Sequence, residues 1–125
     1  NGLAGIVLAH HSLLRAGLAT EEPLADAVRQ LGTIPQGVLP VLCHGTLGTT
    51  EVLRVVERDH PGATGRIRCD LESTLCSPDA IARYFAQEQG RYALSPALMS
   101  GRAGAVLHLA ARLEPDLTPS PATLT

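Results

Sequence analysis

The stretch Val41–Leu53, VLCHGTLGTTEVL, places a cysteine directly beside a histidine, then Gly-x-x-Gly, then a run with the look of a helix start. Two readings of Cys43 and His44 compete. Either a buried cysteine happens to neighbour a polar histidine, or the pair supplies two ligands to one metal ion. Cysteine sulfur and histidine nitrogen suit zinc, a borderline-soft tetrahedral ion. The residues alone leave both readings open.

The same glycine pattern appears three times, at NGLAGIVLAHHSLLRAG from Asn1, HGTLGTTEVLRVVERD from His44 and SGRAGAVLHLAARLEP from Ser100. Each time an apolar stretch follows. Recurrence at this scale points to stacked helical hairpins. The first and third stretches are apolar nearly all round, which predicts helices buried on most sides. The middle one is more amphipathic, with Glu51, Arg54, Glu57 and Arg58 set against Val52, Leu53, Val55 and Val56.

Helices of another kind lie between them. TEEPLADAVRQLG offers Thr20 as N-cap, acids in the first turn, one apolar stripe and Gly32 as a stop. SPDAIARYFAQEQG offers Ser77 as cap, Pro78 at the first helical position and Gly90 as a stop. Buried helices thus alternate with one-faced helices. The expected fold is all-α, an arc of an α/α toroid, with residues 1–125 forming one unit. The glycine turns should gather at one mouth, where helix N-termini favour a thiolate or another anion. Pro35–Pro40, His60–Arg66 and Ser95–Ser100 read as connections, RIRCDLEST (Arg66–Thr74) shows weak alternation with no secure assignment, and Pro115 onward reads as an irregular tail.

Composition narrows the function. The 125 residues are 45% hydrophobic but only 2% aromatic, so the core must be aliphatic. A net charge of −2 with no basic block argues against nucleic acid or an anionic membrane as the main partner. No apolar run is long enough to span a bilayer. Three widely spaced cysteines, Cys43, Cys69 and Cys76, do not form a disulfide framework, and reduced thiols fit a cytoplasmic protein. The first residue, Asn1, reads as the interior of something longer.

The segment LCHGTLGTTEVL resembles the Cys-His-Gly motif of the lanthionine synthetase C-like cyclases, most closely the form in the C-terminal cyclase domain of class II lanthipeptide synthetases. Cys43, His44, Gly45, Leu47, Gly48 and Glu51 match that motif, while Thr46 and Thr49 depart from it. ALMSGRAGAVLHLAARLEP resembles the family's closing helix, and the segment from Asn1 resembles the helix after its Trp-Cys motif. The resemblance covers the whole chain and implies the last three glycine repeats of a seven-hairpin toroid. It further implies that Cys43 and His44 ligate zinc, with the third protein ligand immediately before Asn1 and the acid/base histidine further upstream. The implied reaction is intramolecular Michael addition in a dehydrated precursor peptide: a cysteine thiolate attacks dehydroalanine or dehydrobutyrine and forms a thioether ring. The remaining implied partner is the rest of the parent synthetase, and this chain taken alone is an incomplete enzyme.

Other residues carry less. His10 and His11 could line a central cavity but read first as satisfied or solvent-facing, His108 reads as packing, and His60 as an exposed loop residue. Cys69 and Cys76 read as free thiols. Glu51 is either a hydrogen-bond partner of His44 or a solvated glutamate. No catalytic residue is assigned. Two rival functions remain: another helical-toroid enzyme, which would need paired carboxylates or aspartate-rich motifs not found here, and a non-catalytic helical-repeat binding module or degenerate cyclase relative.

Overall fold

The computed structural model describes residues 2–36, 39–87 and 95–114. These form six helices: α1 (Gly2–Arg15), α2 (Glu21–Thr33), α3 (Thr46–Asp59), α4 (Gly65–Ser73), α5 (Pro78–Ala86) and α6 (Arg102–Leu113). Among the described residues there is no strand, so the chain is all-α. The expectations for Asn1 and the tail from Pro115 lie outside the described residues.

α3 contacts both α1 and α6; α2 packs on α1, and α5 packs on α6. The core follows this layout. One cluster joins Val7, Leu24, Val28, Leu31, Val56 and Leu71 across α1 to α4. A second joins Leu42, Leu47, Cys76, Ile81 and Ala105 across the loop before α3, α5 and α6. α3 supplies both.

Burial among the three glycine-led helices reverses the expectation. The amphipathic α3 is the deeply buried one, from Thr46 through Val56, whereas α1 buries Val7 and His11 and leaves Ile6 and Leu13 exposed. On α6, Val106 and Leu113 are exposed. Position explains the reversal: among the described residues α3 packs on α1, α4 and α6, whereas α1 packs on α2 and α3, and α6 on α3 and α5.

Arg66–Thr74 belongs to helix α4 and its C-cap, not to a strand. Leu71 is buried, Ile67 packs on the same cluster, and Arg68 Nη1 lies 2.9 Å from Glu72 Oε2 one turn on. Weak alternation there hid a short helix with one apolar edge. At α5 the expected cap is present, with Ser77 Oγ accepting from the Ala80 N–H at 3.2 Å and Pro78 opening the helix. The helix ends earlier than Gly90 implied, at Ala86. Likewise Gly32 sits inside the last turn of α2, which continues to Thr33. Thr20 has the extended backbone of an N-cap but makes no side-chain cap bond.

Candidate metal and thiol site at the glycine mouth

Neither α3 nor α6 begins with a side-chain cap. Their first amides are satisfied by the preceding loop folding back over the helix end. The Leu39 carbonyl accepts from Thr46 N–H at 2.9 Å, and the Val41 carbonyl accepts from Gly48 N–H at 3.3 Å. At α6 the Ser95 carbonyl accepts from Arg102 N–H at 2.9 Å. This fold-back is why glycine recurs. A Cβ at Gly45 would collide with the Leu39 carbonyl oxygen, and one at Gly48 with that of Leu42. At Gly101 and Gly104 it would meet the Ser95 and Leu98 carbonyl oxygens. The backbone at Gly45 and Gly101 is extended, so close approach, not positive φ, is the requirement there.

The loop that caps α3 carries the Cys43–His44 pair. Cys43 N–H donates to the Met99 carbonyl at 2.8 Å, which ties this loop to the loop before α6. Both Cys43 and His44 are exposed, although unpaired cysteine is among the residues most often buried. A cavity of about 580 Å³ opens beside them, lined also by Gly2, Gly5, Gly45 and Gly48. The first two glycine turns therefore share one cavity, and the third is joined to it through Met99 and Cys43, as expected of turns gathered at one mouth.

Glu51 also lines this cavity, but it is not a solvated glutamate. Its relative exposure is 0%. Oε1 accepts from His108 Nδ1 at 2.5 Å and from Arg54 Nη1 at 3.2 Å, and Arg54 Nη2 donates to the Ala111 carbonyl at 2.5 Å. His108 is likewise 0% exposed, and its Nε2 has no hydrogen-bond partner in the structure. Sequence reasoning missed this pair. The signal available was one imidazole inside an otherwise apolar helix, together with Glu51 and Arg54 one turn apart on another.

The remaining titratable groups lie elsewhere. His11, towards the C-terminal end of α1, is buried, and its Nε2 is 3.1 Å from Asp59 Oδ2. It is the satisfied histidine of the first reading rather than a cavity residue. Burial lowers its pKa against the opposing pull of Asp59. His60 is half-buried rather than exposed, its ring edge-on to His11 with centroids 5.6 Å apart. The Arg58 guanidinium holds Asp59 below the ordinary carboxylate value. Cys69 and Cys76 are free thiols. Cys76 is buried with Sγ 3.3 Å from Thr50 Oγ1, and burial pushes its pKa up. His10 is partly buried and lines no cavity described here.

The donor set at the mouth fits zinc in type, one thiol and one imidazole exposed on a shared cavity wall. Among the described residues no group of three or more histidine, cysteine or acidic side chains is placed to hold a metal.

Comparison with protein families matches residues 1–125 to the model for lanthionine synthetase C-like protein. The chain belongs to the lanthionine synthetase C-like family. Membership brings cyclase-type function in its general form, with a peptide as substrate. Neither the curated proteins nor the solved structures yield a match. No helix among the described residues is long and apolar enough to cross a membrane.

Proposed function

We propose that this chain forms the zinc-bearing C-terminal part of a peptide cyclase that makes lanthionine and methyllanthionine rings. The observation that carries the proposal is the exposure of Cys43 and His44, side by side on the wall of a cavity at the glycine mouth of a family member. In this reading the two side chains are two of the zinc ligands, and a third protein ligand precedes Asn1. The bound zinc would lower the pKa of a substrate cysteine and so supply a thiolate at neutral pH. The new bond joins the substrate sulfur to the β-carbon of dehydroalanine or dehydrobutyrine; the α-carbon then takes up a proton, and nothing leaves.

This chain's own residues prepare that chemistry. The fold-back loop fixes the backbone of Cys43 and His44 through Met99, Leu39 and Val41. The N-terminus of α3 lies at the same loop and favours negative charge there. Apolar side chains from α1, α2 and α3 line the wall beside the pair. Glu51, held by His108 and Arg54, keeps its carboxylate charge compensated at the back of the cavity. The partner molecules of this reading are a dehydrated precursor peptide and the remainder of the synthetase.

The test follows ring closure directly. Dehydrated peptide is incubated with the cyclase containing this chain, and free thiols are then alkylated and counted by mass. Loss of alkylatable cysteine in wild type, and its retention after Cys43→Ala, supports the proposal. Full ring closure by Cys43→Ala contradicts it.

A further inference from the structure

The cavity at the mouth is larger and more apolar than a single thiol requires. Its polar side is made by Cys43, His44, Gln36, Thr49 and Glu51. The rest is apolar, with Leu3, Leu8, Leu31, Ile34, Val52 and Met99 reaching in from α1, α2, α3 and the loop before α6. Its volume of about 580 Å³ is in the range of sites that enclose small ligands or several side chains. No lysine or arginine is among these lining residues, and Glu51 is the carboxylate among them. An acidic side chain seated among these apolar residues, away from Cys43 and His44, would lose water with no lining lysine or arginine to pair with. An aliphatic side chain would lose only unfavourable hydration.

We infer that the apolar part of the cavity is a specificity subsite, which seats an aliphatic side chain flanking the reacting cysteine of the peptide and rejects an acidic one. That the peptide presents a cysteine here rests on the proposed function; the preference for an apolar neighbour rests on the cavity itself. Ile34 and Met99 are suited to test it. They are 45% and 47% exposed, so replacing them removes little from the core.

Two fluorescein-labelled heptapeptides, one with Leu-Cys and one with Asp-Cys at the centre, are titrated by anisotropy against the zinc-supplemented cyclase containing this chain. A third with Leu-Ser serves as the thiol control. Circular dichroism and bound zinc are recorded for wild type, Ile34→Glu and Met99→Glu. The subsite predicts that Leu-Cys binds wild type at least about tenfold more tightly than Asp-Cys. Both variants should stay folded, keep their zinc and shrink that ratio below about threefold. Equal affinities for the two peptides in wild type overturn the inference, as does a ratio unchanged in both variants or no binding of Leu-Cys. Should Leu-Ser bind as tightly as Leu-Cys while the preference for leucine over aspartate persists, the subsite stands and the thiol reading of the mouth falls.

Discussion

Glu51 of α3 and His108 of α6 meet in the interior, carboxylate Oε1 2.5 Å from ring Nδ1, with both residues fully removed from solvent. Such a pair is expensive to break because the abandoned partner stays buried. His108→Ala should therefore destabilise the chain by about 3–5 kcal/mol, and Glu51→Ala by a similar amount. The double substitution to alanine should cost far less than the sum. Urea denaturation of the four proteins checks this cycle, and strict additivity would show that the two side chains do not depend on one another.

The glycines divide into two kinds. Gly48→Ala drives a Cβ into the Leu42 carbonyl and should cost about 1–3 kcal/mol. Gly5 occupies the equivalent place in α1 but has nothing within 4 Å of an added Cβ. Gly5→Ala should be neutral or stabilising by up to about 1 kcal/mol, through helix propensity. Thermal melts of the two variants separate fold-back packing from mere repetition of a motif.

Much of this was legible in the sequence, and the reasons can be named. Periodicity and caps located α1, α2, α3, α5 and α6, because each has an apolar face and a turn residue near its ends. The Cys43–His44 loop was found because adjacency to Gly-x-x-Gly is a local pattern. Depth was not legible. Hydrophobicity alone ranked α1 and α6 above α3, yet burial depends on which helices pack against it, which no single helix encodes. The role of Glu51 was missed for a related reason: its partner His108 lies 57 residues away, and only packing of α3 on α6 brings them together. α4 escaped because nine residues with one buried leucine give too little periodicity to read.

Acid should weaken the fold in two stages. Burial lowers the His11 pKa from its ordinary 6.5, so the unfolded chain binds more protons and stability declines as pH falls below about that value. Glu57 accepts from the Thr64 hydroxyl at 2.7 Å, from Gly62 N–H at 2.7 Å and from Thr64 N–H at 3.1 Å. These bonds hold its carboxyl below the ordinary 4.5, so its contribution is present above that pH and lost as pH falls through the lowered value. Melting temperatures between about pH 3.5 and 8 should show both declines. His11→Gln should flatten the upper one and Glu57→Gln the lower one; a profile unaltered by both changes would remove these groups from the account.

The exposed apolar side chains of α1 and α6 predict association. Ile6 is 48% exposed, Val106 66% and Leu113 80%, and Leu13 continues the stripe on α1. Apolar stripes of this kind favour contact with other chains. Sedimentation velocity of the isolated chain should show self-association that decreases when Ile6, Leu13, Val106 and Leu113 are replaced by lysine or glutamate. A monodisperse, cooperatively melting monomer before any substitution would contradict it.

The central claim is that Cys43 and His44 hold zinc, and zinc content tests it most directly. The cyclase containing this chain is purified and its bound zinc measured by atomic emission for wild type, Cys43→Ala, His44→Ala and Cys69→Ala. Cys69 is exposed but lies on α4 and does not line the cavity, so it controls for adventitious thiol binding. The account predicts about one zinc per chain in wild type and in Cys69→Ala, and strong loss in Cys43→Ala and His44→Ala. Zinc retained at the wild-type level by Cys43→Ala would contradict it.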